Sequence, residues 1–248
     1  MNSLRLGLWL SGLLLMPGPL MLGMPALAQQ ADPAAGLVLQ PARYRAVLGS
    51  PPAPGSRQEL DDLAILRWNQ RSRTPAGILH SWHFLNRHLS LFDAAVGADL
   101  ARTSPHLVAG LPSFVARAEA LKDQLKDAAA RPRPFLNHRD LSPCLPLEMS
   151  WSFPSGHATW FATAALLLAD LLPERRERLL QVGLQGGYVR AYCGLHYPSD
   201  VVAGQRLAEA ISQELIASPQ WRTFKQQLAG ERRQLLEVPP AGLPLLVD

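Results

Sequence analysis

Apolar residues recur at helical spacing along most of this 248-residue chain, and the in-and-out alternation of a half-buried strand is nearly absent. That periodicity restricts the fold to helix packed on helix. Ser56–Arg71 carries Leu60, Leu63, Ala64, Ile65 and Trp68 at such spacing, and Pro112–Ala130 carries Phe114, Val115, Ala118, Leu121 and Leu125. The second helix is predicted to stop at Arg131-Pro132-Arg133-Pro134, because proline has no N–H to donate and restrains the residue before it. His157–Leu172 is strongly apolar and ends at Pro173; too short to span a bilayer, it reads as a core helix. Glu174–Tyr192 is amphipathic, and Asp200–Ala217 follows the turn His196-Tyr197-Pro198-Ser199. The predicted class is all-α, a single-domain helical bundle over residues 29–248. Gln40–Gly55 is Pro-rich, so residues 29–55 read as an extended N-terminal arm and Pro239–Asp248 as a loose tail.

Residues 1–28 have the layout of a secretory signal: Arg5, an apolar run Leu6–Leu22, and Ala26-Leu27-Ala28 before Gln29. The alternative is a membrane anchor, but Gly12, Pro17, Gly18 and Pro19 interrupt a run that falls short of the roughly 18 apolar residues of a spanning helix. Cleavage leaves 220 residues, Gln29–Asp248, as a periplasmic or secreted protein with no stable membrane anchor. The net charge of +4 rests mostly on arginines interleaved with acids, as in Glu174-Arg175-Arg176-Glu177-Arg178. Such interleaving describes a solvated face, so no nucleic-acid partner is expected. Two cysteines, Cys144 and Cys193, meet an oxidising compartment on export and are expected to close a bridge, with two buried thiols as the alternative. The loop closed would hold about 50 residues and the bridge would contribute roughly 3–4 kcal/mol on the chain-entropy account. Two cysteines without Cys-x-x-Cys spacing do not make a structural zinc site.

Three short clusters between Lys126 and Asp200 carry the chemistry. The first is Lys126 with Arg133-Pro134 seven positions on, the second Pro154-Ser155-Gly156-His157, the third Arg190, His196 and Asp200. A phosphate monoester brings up to two negative charges and three free oxygens, and the planar fork of Arg engages two of them at once. Each cation also has a plain reading: Arg133 as a loop arginine, Lys126 and Arg190 as complements of a helix C-terminus. Pro154-Ser155-Gly156-His157 opens an apolar helix, where free N–H groups and the positive dipole end favour an anion. Gly156 allows close backbone approach and Ser155 offers a hydroxyl, although Ser155 as a simple N-cap explains the serine equally. His157 is placed to protonate a leaving-group oxygen. His196 has an imidazole nitrogen able to attack phosphorus, and Asp200 a carboxylate able to orient that ring or merely to cap the next helix. His80-x-x-His83 has metal-pair spacing, but no third ligand pattern follows, and no metal site is expected.

These clusters, with their spacing, resemble the signature of the type 2 phosphatidic acid phosphatase superfamily, matching ten of its eleven fixed positions. The contexts Arg131-Pro132-Arg133-Pro134-Phe135 and Cys193-Gly194-Leu195-His196-Tyr197-Pro198-Ser199-Asp200 look most like the bacterial class A non-specific acid phosphatases. The departure is Val189, where the family has Ser before Arg190. The resemblance implies a helical bundle of the type 2 phosphatidic acid phosphatase and vanadium haloperoxidase type. It implies broad hydrolysis of small phosphate monoesters with no metal or other cofactor, and association into homo-oligomers such as dimers. His196 is then the nucleophile oriented by Asp200, His157 the acid, with Lys126, Arg133, Ser155, Gly156 and Arg190 on the phosphate. An acid optimum is expected, with His157 protonated while His196 is neutral. Vanadium-dependent haloperoxidases share the signature, and a non-catalytic binder of phosphate or lipid headgroups is the other alternative. Trp82, Phe84 and Trp160 are candidates for an apolar mouth or for plain core packing.

Overall fold

Packing in this protein centres on one small-residue helix. The computed structural model describes residues 31–244 and 246, so the signal read in residues 1–28 lies outside the described residues. Among the described residues the α-helices are α1 Pro41–Leu48, α2 Arg57–Ser72, α3 Pro75–His83, α4 Asp93–Val96, α5 Leu100–Thr103, α6 Pro105–Ala129, α7 Pro134–Asn137, α8 Gly156–Leu171, α9 Arg176–Tyr192, α10 Pro198–Ala217, α11 Pro219–Gln227 and α12 Ala229–Leu235, with no strand. The all-α prediction stands. No described helix is long and apolar enough to cross a membrane.

α8 lies between α9, α10 and α6 and is buried on nearly all sides. Its contacts with α9 and α10 are close because glycines face it. A Cβ added at Gly186 would fall 2.2 Å from the Phe161 ring, and one at Gly204 2.7 Å from the Ser155 carbonyl oxygen. That approach sets the start of α8 directly against the segments bearing Arg190 and Asp200: Ser155 N–H donates to the Asp200 carbonyl at 2.9 Å. Phe84, Trp160 and Phe161 belong to the main apolar cluster, whereas Trp82 is exposed. Of the aromatics considered for an apolar mouth, Phe84 and Trp160 are therefore core residues.

Four boundaries differ from the sequence reading, three of them with a distant partner. α6 begins at Pro105 rather than Pro112. The Glu231 carboxylate caps it by accepting from the N–H groups of His106 (3.1 Å) and Leu107 (3.2 Å), and Pro112 is carried inside the helix. α10 begins at Pro198, two residues before Asp200. The segment read as an extended arm contains α1: Pro41 starts it, Tyr44 and Leu48 bury one face, and the Tyr44 hydroxyl donates to Glu214 at 2.6 Å. The tail is tied down in its described part. Pro240–Gly242 forms a 3-10 turn, Leu246 packs on the core, and Arg178 donates to the Pro244 carbonyl.

Cys144 and Cys193 form the expected disulfide, with Cα atoms 4.8 Å apart. The Cys144 N–H also donates to the Cys193 carbonyl at 3.1 Å, so the loop after α7 is stitched to the end of α9.

Candidate active site

Six segments converge at one end of α8. α6 brings Lys122 and Lys126, one turn apart. The loop after it brings Arg131 and Arg133, and the strap before α8 brings Glu148, Ser150 and Ser152. The α8 N-terminus supplies Ser155, Gly156 and His157. Arg190 comes from the end of α9, and His196 and Asp200 from the turn into α10. Ser155 is the N-cap of α8, its hydroxyl accepting from Ala158 N–H at 3.4 Å. The eight residues singled out in the sequence thus lie around one centre.

His196 is 1% exposed and Asp200 is fully buried. Arg133 Nη1 lies 2.9 Å from His196 Nε2 and 3.0 Å from the Leu195 carbonyl. Because a guanidinium can only donate, Nε2 is the acceptor and carries no proton. The other ring nitrogen, Nδ1, sits 3.3 Å from Ser152 Oγ and 3.5 Å from Asp200 Oδ2. Burial, then the charges of Arg133, Lys126 and Arg190, push the His196 imidazole well below its ordinary pKa, so it is neutral.

Asp200 does more than face His196. Its Oδ1 accepts from Arg131 Nη1 at 2.6 Å, and its Oδ2 accepts from Ser152 Oγ at 2.5 Å and from Tyr197 N–H at 3.0 Å. The last contact places Asp200 in the first turn of α10, closing its N-terminus, so the capping and the His196-facing roles coexist. Arg131 stacks on the Tyr197 ring at 3.7 Å and donates to Ser199. Burial pushes the Asp200 carboxyl above its ordinary pKa, with Arg131 and Ser152 offsetting only part of the rise.

The cations are buried and crowded. Arg133 is 1% exposed and Arg190 fully buried, and Arg190 Nε and Nη1 have no acceptor within the protein. Burying unpaired donors of a charged group is costly unless something fills them, which marks this as an anion site. Burial lowers Arg190 to about 10, leaving it charged. Lys126 donates to the Trp151 carbonyl at 2.7 Å, and burial together with Arg133 and Lys122 lowers it to about 7. Neither Lys126 nor Arg190 has the solvated position of a residue that merely complements a helix end.

His157 departs from expectation. Its Nε2 lies 3.0 Å from the Leu85 carbonyl, so Nε2 carries the proton, and Nδ1 lies 4.0 Å from Glu148 Oε1. Burial and Arg190 lower its pKa to about 3, so without a bound anion it is neutral at mildly acidic pH. A doubly charged anion on Arg190 would oppose the part of that push that comes from the Arg190 charge.

Sequence reasoning missed five contributors. Lys122 packs beside Gly156, where an added Cβ would lie 3.5 Å from its Nζ. Ser150 accepts from Arg133 through both its carbonyl (2.8 Å) and its hydroxyl (3.0 Å). Glu148 bridges Arg133 and Arg190. Ser152 and Arg131 hold Asp200. Arg131 stood within a quoted motif, but no local pattern signals the other four. Val189, in place of the family Ser, is buried among apolar residues beside Arg190.

The chain matches the PAP2 superfamily over residues 107–224. It is 36% identical over 112 residues to the non-specific acid phosphatase of Salmonella typhimurium, a stretch covering 42% of each chain. It is 38% identical over 84 residues to the acid phosphatase of Zymomonas mobilis, covering 34% of this chain and 31% of that one. A third relative, the decaprenylphosphoryl-5-phosphoribose phosphatase of Mycolicibacterium smegmatis, is 34% identical over 116 residues, 47% of this chain and 61% of that one. The aligned stretch therefore spans less than half the length of either of these acid phosphatases. A transmembrane PAP2-type phosphatidylglycerolphosphate phosphatase from Bacillus subtilis superposes with a TM-score of 0.51 at 20% identity, over 75% of this chain and 94% of that one. At that identity the likeness concerns the fold. Shared sequence across the site-bearing segment and shared helical architecture agree: residues 107–224 form a PAP2 superfamily domain.

Proposed function

We propose that this protein is an exported acid phosphatase that hydrolyses phosphate monoesters through a phosphohistidine on His196, without a metal ion. The observation that carries the reading is His196 itself: a neutral Nε2 pointed at Arg133, with Nδ1 against Ser152 and Asp200. The unfilled donors of Arg190 and the relatives' names support it. In the first step the Nε2 lone pair attacks phosphorus, and a P–N bond forms as the ester P–O bond breaks. The departing oxygen takes a proton from His157, which the phosphoryl dianion has made basic enough to carry one. In the second step neutral His157 accepts a proton from water while the water oxygen attacks phosphorus. The P–N bond then breaks, its electron pair returns to His196, and phosphate leaves. Arg133, Arg190 and Lys126 stabilise the charge on the transferring group. The Cys144–Cys193 bridge suits the oxidising compartment that export implies.

The test is hydrolysis of p-nitrophenyl phosphate by the purified chain at mildly acidic pH. Turnover should persist in EDTA and fall on adding vanadate. Loss of turnover in EDTA, restored by a divalent metal, sinks the metal-independent reading, and vanadate-dependent bromide oxidation moves the chain to the haloperoxidases.

Lys126 should shape the pH profile. As a cation it aids phosphate binding, and with a pKa of about 7 it loses that charge as pH rises through neutrality. kcat/KM, which reports the free enzyme, should therefore fall above about pH 7. Below about pH 6 it should fall as the substrate loses its second charge. Lys126→Arg keeps the charge and should carry the alkaline limb upward by about one pH unit or more. An unmoved limb assigns it to another group.

A further inference from the structure

A single carboxylate spans the two guanidiniums of the proposed phosphate site. Glu148 Oε2 accepts from Arg133 Nη2 at 2.7 Å, and Oε1 accepts from Arg190 Nη2. Oε1 also lies 4.0 Å from His157 Nδ1. The two carboxylate oxygens thus stand in for two phosphoryl oxygens, touching the same cations and facing the same histidine. Their grip is partial, since Arg190 Nε and Nη1 find no acceptor in the protein. A group with three free oxygens and two charges can fill more of these donors than a carboxylate can.

The segment that carries Glu148 suits a group that comes and goes. Leu147, Met149 and Trp151 turn outward, with exposures of 59%, 82% and 42%. Glu148 and Ser150 turn inward onto Arg133, and the Glu148 side chain is 34% exposed. Solvent is open to the Glu148 side chain when it leaves.

We infer that Glu148 is an internal competitor for the substrate's phosphoryl group, a carboxylate that must leave Arg133 and Arg190 before phosphate can occupy both. This rests on the phosphatase reading above. Affinity is reduced by the fraction of molecules in which the carboxylate holds the site, so Glu148 sets how much phosphate ester the protein needs. Burial raises the Glu148 carboxyl, but Arg190, Arg133 and His157 outweigh it and hold it at about 2. The competitor is therefore charged throughout the working range.

Glu148→Gln keeps the shape and removes the charge. In this variant KM for p-nitrophenyl phosphate and the inhibition constant of inorganic phosphate should fall together, by about tenfold or more, since contacts to charged groups are the stronger ones. Glu148→Asp keeps the charge on a shorter arm, spares the buried arginines from isolation, and should shift both constants the same way by less. Calorimetry with inorganic phosphate gives the same comparison without turnover. A purely structural Glu148 would change the melting temperature but would not move KM and the inhibition constant by one common factor. Wild-type turnover with both constants unchanged or raised in both variants overturns the inference and leaves the phosphatase reading standing. A wild-type protein that neither hydrolyses the ester nor binds phosphate overturns both.

Discussion

Replacing His196 with alanine should reduce kcat/KM for p-nitrophenyl phosphate by about 10⁴-fold or more, the scale seen when a covalent nucleophile is removed while binding groups stay. The geometry explains why the loss falls on chemistry. Nε2 is the imidazole nitrogen turned to the cationic cradle, and burial among three cations keeps it unprotonated. Arg133 and Arg190 are untouched, so inorganic phosphate should still bind. The wild type, quenched during turnover, should carry acid-labile, alkali-stable phosphate on protein; His196→Ala should carry none. A variant with near wild-type turnover ends the nucleophile assignment. Loss of turnover together with loss of phosphate binding assigns His196 a binding role instead.

Asp200→Asn should be the second large effect, and it should appear in two measurements at once. Turnover is expected to fall about 10³–10⁴-fold, as when the carboxylate orienting a catalytic histidine becomes an amide. Stability should fall by about 3–5 kcal/mol, because Arg131 keeps a buried charge and loses its nearest counter-ion. Asp62 and Glu59 stand farther off, at 3.7 and 4.0 Å, and replace Asp200 only in part. Denaturant unfolding measures the second effect, and kcat at a temperature where both proteins are folded isolates the first. A destabilised variant with full kcat would make Asp200 a structural residue alone.

Much of this protein is legible in local pattern. Ser155 caps its helix as its position suggests, and the Arg131-Pro132-Arg133-Pro134 run stops α6 where expected. Such features depend on residues three or four apart, whose contacts the helix itself guarantees. The signature residues are legible for a related reason. Each cluster sits at a helix end or in a short turn, where its backbone setting follows from neighbouring proline and glycine.

Tertiary structure decided the rest. α6 gains its first two turns because Glu231, more than a hundred residues away, supplies the cap that the local sequence lacks. α1 exists where a Pro-rich arm was expected because Tyr44 reaches Glu214, 170 positions along the chain. His157 loses the protonation its ordinary pKa would give it, since burial beside Arg190 depends on how α8 and α9 pack. Glu148 lies in a loop with no motif, and its bridge between Arg133 and Arg190 exists only where three segments meet. The sequence by itself determined most of the helices, the family signature and the candidate reactive groups, since these follow from side-chain chemistry and short spacing. Which charges share one buried volume was decided by packing across long stretches of chain, and that is what sets protonation and competition at the site.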